Sequence, residues 1–222
     1  MTPLHFVRSK DRPLSILCLG AHSDDIEIGC GGALIKLIET FPESEFLWVV
    51  LSANDTRAAE ARKSAGIYLD KVRHKEILVE SFRDSFFPYQ GQAIKEYFEK
   101  LKPRMNPDIV FAPYRRDLHQ DHRLVSELTW NTFRNHLILE YEILKYDGDL
   151  GTPNMFVPLD RNTCSEKIGR LMACFKSQSS ASWFEEECFY SLMRVRGVES
   201  NSPSRYAEAF YCRKASLDFD SM

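Results

Sequence analysis

Apolar residues fall in short runs along this chain, separated by longer stretches in which they recur at helical spacing. Residues 14–19 (LSILCL), 46–51 (FLWVVL) and 109–112 (IVFA) are of strand length and nearly all apolar. That is the pattern of parallel strands covered on both faces, because an exposed face would alternate with polar residues. The stretches between them predict helices over 31–40, 56–69 and 92–101, and one long helix over 122–139. Beyond Tyr141 the pattern weakens. Residues 166–175 read as a helix, 191–197 and 206–213 as late strands, and 201–204 as a loop inside the domain. Strands alternating with helices predict an α/β fold, a Rossmann-like three-layer sandwich with a mainly parallel sheet and right-handed crossovers.

Sheets of this kind bind ligands at the carboxyl ends of their strands. Two polar clusters stand there. Gly20-Ala21-His22-Ser23-Asp24-Asp25-Ile26-Glu27 follows the first strand, and Asp117-Leu118-His119-Gln120-Asp121-His122 lies shortly after the 109–112 strand. Histidine beside carboxylate suits zinc or iron(II), and a catalytic zinc takes three protein ligands while leaving one position open. His22 and Asp25 are three apart, as are His119 and His122, so each pair can face one way on a turn entering a helix. The candidates outnumber three ligands, which leaves groups for a general base and for the developing charge. A plainer reading makes these residues caps and loop hydrogen bonds, with Asp24 an ordinary N-cap.

Other chemistries fit less well. Gly29, Gly31 and Gly32 stand where a dinucleotide loop would have its glycines, but Asp24, Asp25 and Glu27 would repel a pyrophosphate and no G-x-G-x-x-G is present. The glycines instead let the first helix lie close to the sheet. No G-x-S-x-G marks a serine nucleophile, and Cys30 has no evident base.

With 222 residues, the length suits a single domain over 1–222. The 29 basic and 32 acidic residues leave a net charge of −3, so nothing points to nucleic acid or an anionic membrane. The six cysteines form no CxxC pair and read as reduced thiols of a cytoplasmic protein. Residues 1–13 lack the apolar core of a signal peptide, and no stretch has the length of a membrane span. His5, His74 and His136 have no acidic companions at ligand spacing and read as solvent or core histidines. Arg104, Arg115, Arg116 and Arg123 flank the second cluster and could hold an anionic part of a substrate.

The segment Ala21-His22-Ser23-Asp24-Asp25-Ile26-Glu27 resembles the AHPDDxE signature of the PIG-L / LmbE-like deacetylases, and Asp117 to His122 resembles their D-x-H-x-D-H. Arg57-Ala-Ala-Glu60, Lys167 through Ser177-Gln178, and Arg196-Gly197 with Tyr206 to Phe210 are similar to later family segments, so the likeness covers about 14–213. The resemblance implies a zinc-dependent hydrolase, with one ion per chain and iron(II) as the alternative, removing acetyl from an N-acetylated amino sugar through an activated water. It implies His22, Asp25 and His122 as metal ligands and Asp24 as general base. His119 would stabilise the tetrahedral intermediate, with the imidazolium form open to it, and could protonate the leaving amine; Asp121 would orient and charge-stabilise His119, and Arg57 would bind substrate. Ser23 and Gln120 stand where the family usually has proline. The alternatives are a metal-dependent hydrolase of another amide or an ester on the same fold, and a catalytically silent metal-binding protein. The partner expected is a small molecule, with room for self-association.

Overall fold

The computed structural model describes residues 3–4 and 12–216; His5 lies outside the described residues. In chain order the elements are β1 (Ser15–Gly20), α1 (Asp25–Thr40), β2 (Glu45–Val50), α2 (Asp55–Tyr68), β3 (His74–Val79), α3 (Gly91–Leu101) and β4 (Ile109–Pro113). There follow α4 (Gln120–Thr132), β5 (Leu137–Tyr141), β6 (Met155–Leu159), α5 (Arg161–Cys174), α6 (Glu186–Glu199) and β7 (Tyr206–Tyr211). The strands form one sheet in the order β3-β2-β1-β4-β5-β7-β6. The first five are parallel, and β7 runs antiparallel to both its neighbours.

Helices cover both faces, so the strands can be apolar throughout. Ile16, Cys18, Phe46, Trp48 and Phe111 pack toward α1, α2, α5 and α6. Leu17, Leu19, Leu47, Val49 and Val110 pack on the other face against α3 and α4. The three-layer α/β expectation holds, and among the described residues no helix is long and apolar enough to cross a membrane.

Three element expectations differ. The long helix over 122–139 ends at Thr132, the chain turns through Phe133–His136, and the apolar LILEY segment is strand β5; a short apolar run looks the same in a buried strand and a buried helix. Residues 191–197 belong to helix α6, whose buried positions Phe189, Met193, Arg196 and Gly197 have helical spacing. That spacing was disguised because Arg196 is charged yet buried, donating to both oxygens of Glu142 at 2.7 and 2.6 Å. Helix α1 begins at Asp25, six residues before the predicted start.

The glycines of α1 are there for close packing. A Cβ on Gly29 would stand 2.1 Å from the Tyr141 ring, and one on Gly32 would stand 2.5 Å from Leu159. The same stretch is gripped by a buried ion pair. Glu208 on β7 accepts Gly32 N–H at 2.8 Å and Ala33 N–H at 2.6 Å, while Lys167 on α5 donates to Glu208 and to the Ile28 carbonyl, both at 2.6 Å. Sheet and α5 thereby fix the axial position of the helix whose first residue is Asp25.

Candidate metal centre

Strands β1 and β4 are neighbours, but β1 leads on to β2 on one side and β4 to β5 on the other. Chain order reverses between them, and the loops leaving the two strands open a crevice there. Both polar clusters occupy those loops, so residues 100 positions apart meet: His22 Nδ1 lies 3.1 Å from His122 Nε2.

Asp25 Oδ2 completes a triangle, 3.7 Å from His22 Nδ1 and 3.4 Å from His122 Nε2. A tetrahedral zinc with bonds of 2.0–2.1 Å needs ligand atoms about 3.4 Å apart, and the three edges bracket that value. The far nitrogen of each histidine meets carboxylate. His22 Nε2 lies 3.3 Å from both Asp121 Oδ2 and Asp84 Oδ1, and His122 Nδ1 lies 2.8 Å from Asp117 Oδ2. Carboxylate–histidine pairs of this kind fix ring orientation and tautomer in metal sites. The donor set therefore fits a divalent cation of the zinc class.

Electrostatics agree with the geometry. Burial opposes charge on His22, but the Asp25 charge and hydrogen bonds to Asp121, Asp25 and Asp84 outweigh it and raise its pKa well above the usual value. Burial likewise opposes charge on His122, yet Asp25 and Asp117 push it up to about 9. Asp25, despite its burial, is held well below the usual carboxylate range by the two histidines. Three buried groups thus share charge where a cation would take the place of the protons.

Asp24 occupies the N-cap position of α1 but makes no capping hydrogen bond, so the plain cap reading fails. Its Oδ1 accepts from Arg57 Nη2 at 3.1 Å, and its Oδ2 is buried with no hydrogen-bond partner. Burial raises its pKa and the Arg57 charge counters that only in part. A buried, unpartnered carboxylate oxygen beside a ligand triangle is the arrangement expected of a base whose partner is the reacting water.

His119 caps α4, its Nδ1 accepting from Asp121 N–H at 3.2 Å, and its ring lies 4.8 Å from that of His22 and 4.7 Å from that of His122. With Nδ1 an acceptor, the neutral ring carries its proton on Nε2. Burial, then the charges of His122 and His22, lower its pKa. That direction favours a neutral ring, donating through Nε2–H, over the imidazolium form. The Asp121 carboxylate hydrogen-bonds His22 and accepts Ser85 N–H at 2.7 Å and Phe87 N–H at 3.1 Å, while standing near enough to His119 for its charge to act on that ring.

Arg57, in the first turn of α2, is turned toward protein: Nε donates to Ser23 Oγ at 2.9 Å, and Nη1 stands 3.7 Å from Asp84. Arg115 and Arg116 are exposed on the loop after β4. Arg104 sits before β4, at the opposite rim, ion-paired with Glu76. His74 is exposed on β3, and His136 lies 2.9 Å from Asn106 Oδ1. Sequence reasoning missed Asp84, Lys145 and the role of Asp117. Asp117 lay inside the second motif, whereas Asp84 and Lys145 belong to loops with no spacing signal.

Fold and site together define a class: a doubly wound α/β protein with a histidine–aspartate cluster at its switch point that could hold a cation. The sequence model of the PIG-L family (GlcNAc-PI de-N-acetylase) matches residues 17–133, more than half of the chain, and the chain belongs to that family. Among solved structures it is similar to the conserved protein TT1542 from Thermus thermophilus, with 19% identity over 94% of this chain and 100% of that one, at a TM-score of 0.69. The N,N'-diacetylchitobiose deacetylase from Pyrococcus horikoshii matches at 22% identity over 88% of this chain and 82% of that one, with a TM-score of 0.64. The 4-carboxy-2-hydroxymuconate hydratase GalB from Pseudomonas putida matches at 17% identity, covering 94% of this chain and 100% of that one, with a TM-score of 0.69.

Proposed function

We propose that this protein is a zinc-dependent N-deacetylase acting on an N-acetylated amino sugar or its conjugate, with His22, Asp25 and His122 holding the ion. The observation that carries the reading is the ligand triangle with its two carboxylate-backed histidines, set beside Asp24 with one free oxygen. The bound cation would polarise the amide carbonyl and lower the pKa of a water toward neutrality.

The remaining chemistry belongs to the chain. Asp24 Oδ2 accepts the proton of the attacking water, while Arg57 holds the other oxygen and keeps the carboxylate ionised. The Nε2–H of His119 donates to the oxygen that becomes negative as the carbonyl turns tetrahedral. The proton carried by Asp24 is then available to the leaving amine, which departs neutral. Asp121 and Asp117 keep the His22 and His122 rings in the orientations their ligand nitrogens require.

The membership in a de-N-acetylase family supports the reaction class. The test incubates a pool of N-acetylated sugars and acylated amines with the zinc-loaded protein. Mass spectrometry should show one compound losing one acetyl group while an equal amount of free acetate appears. A second reading comes from GalB, a hydratase with a similar fold: water would add to a substrate and no fragment would leave. A product heavier by one water, with no acetate, would favour it and sink the deacetylase reading.

A further inference from the structure

Arg57 is held by protein groups along the Nε–Nη2 edge of its guanidinium. Nε donates to Ser23 Oγ at 2.9 Å, Nη2 to Asp24 Oδ1 at 3.1 Å, and Nη1 stands 3.7 Å from Asp84 Oδ2. The Gln178 amide, with its oxygen turned to the guanidinium, adds one acceptor shared between Nη2 at 3.2 Å and Nε at 3.3 Å. Ser23 is fully buried, so water is no substitute for this bond. It also stands at the signature position where the resembled family usually has proline, a side chain with no acceptor.

We propose that Ser23 is a positioning residue whose hydroxyl orients Arg57 so that the guanidinium holds the Asp24 carboxylate. The proposal rests on the reading of Asp24 as base. Guanidinium is a planar fork, and Nε with Nη2 forms one edge of it. An acceptor on Nε therefore fixes the plane, and the fixed plane delivers Nη2 to Asp24. Ser23 and Asp24 are consecutive, so a single turn of chain presents both acceptors to one edge. The pairing leaves Asp24 Oδ2 as the oxygen free to work on water. Gln178 on the same edge supports the plane from the other side, and Glu60, one turn along α2, accepts Ser177 N–H at 2.9 Å and Ser177 Oγ–H at 2.6 Å, which brings Gln178 into reach.

The test compares the zinc-loaded wild type with Ser23→Ala, Arg57→Lys and the double variant. Alanine is smaller than the buried serine, so folding is retained. The first readout is the nuclear magnetic resonance signal of the Arg57 Nε–H, assigned by its disappearance in Arg57→Lys. In Ser23→Ala it should shift and lose protection from exchange with water; an unchanged, protected signal overturns the proposal. The second readout is steady-state kinetics. Ser23→Ala should lower kcat about ten- to 100-fold, the worth of one charge-assisted hydrogen bond, with KM held within about two-fold. In the Arg57→Lys background, which has no Nε donor, Ser23→Ala should add nothing further. A raised KM at constant kcat places Arg57 on the substrate and overturns the proposal, as do additive effects in the double variant. If the wild type turns over no N-acetylated substrate, the proposed function falls, and the resonance alone still decides whether Ser23 holds Arg57.

Discussion

Single residues in the centre divide into those that would hold the ion and those that would work beside it, and mutations should separate them. Asp24→Ala should retain stoichiometric zinc while losing at least about 100-fold in kcat, the range of general-base catalysis; elemental analysis with turnover assays checks both halves. His122→Ala should lose the zinc, and a stoichiometric ion in that variant would refute its ligand role. The raised pKa of His122, about 9, gives a proton count. In the metal-free protein near neutral pH this ring is protonated, and an incoming cation must displace its proton. Zinc affinity should therefore climb with pH up to about 9 and then level. Calorimetry in two buffers of different ionisation enthalpy should register proton release, and identical heats would exclude it. For the metal-free fold the sign is the reverse. The charged ring contributes stability fully below the unfolded value of about 6.5, and that contribution is lost as pH rises through about 9.

Elements are held by contacts the sequence disguises. Motif spacing made His22, Asp25, His119 and His122 legible, because short loops at strand ends leave few positions that can converge. Strand β5 was hidden in a helical stretch; β3 and β6, the two edge strands, were not recognised, since β3 opens on charged residues (HKE) and β6 (MFVPL) is short and carries Pro158. Helix α6 was hidden by a buried arginine whose partner lies 54 residues away. Asp84 and Lys145 were illegible for the same reason. Lys145 ion-pairs with Asp149 of its own loop at 2.6 Å and with Asp117 at 3.0 Å, the second contact made only by tertiary approach of the β5–β6 loop. The Lys167–Glu208 pair is the clearest such case with a consequence for stability. Lys167→Met should cost about 3–5 kcal/mol, because it leaves a buried carboxylate without its countercharge. Chemical denaturation of the metal-free protein measures this, and a loss under about 1 kcal/mol would show that the backbone N–H groups of α1 suffice for Glu208.

Across the whole molecule, the centre joins the two wings of the sheet. The proposed ligands stand where β1 passes into α1 and β4 into α4, and each strand continues into its own half. An ion bound there stabilises only the assembled fold. Zinc at about 100 times its dissociation constant should add about 2.7 kcal/mol, which for a chain of this size raises Tm by roughly 5–10 °C. A chelator should remove the increment. Calorimetric melting with and without zinc tests it, and a Tm indifferent to the ion would place binding outside the folded core.

The 100-residue separation of His22 and His122 has a kinetic side. Neither stretch alone supplies all three proposed ligands, so during refolding a coloured ion such as cobalt(II) would reach its final coordination only once the β1–β4 seam has zipped shut. The visible spectrum would then act as a stopwatch for the last docking event, lagging behind the signal from helix formation.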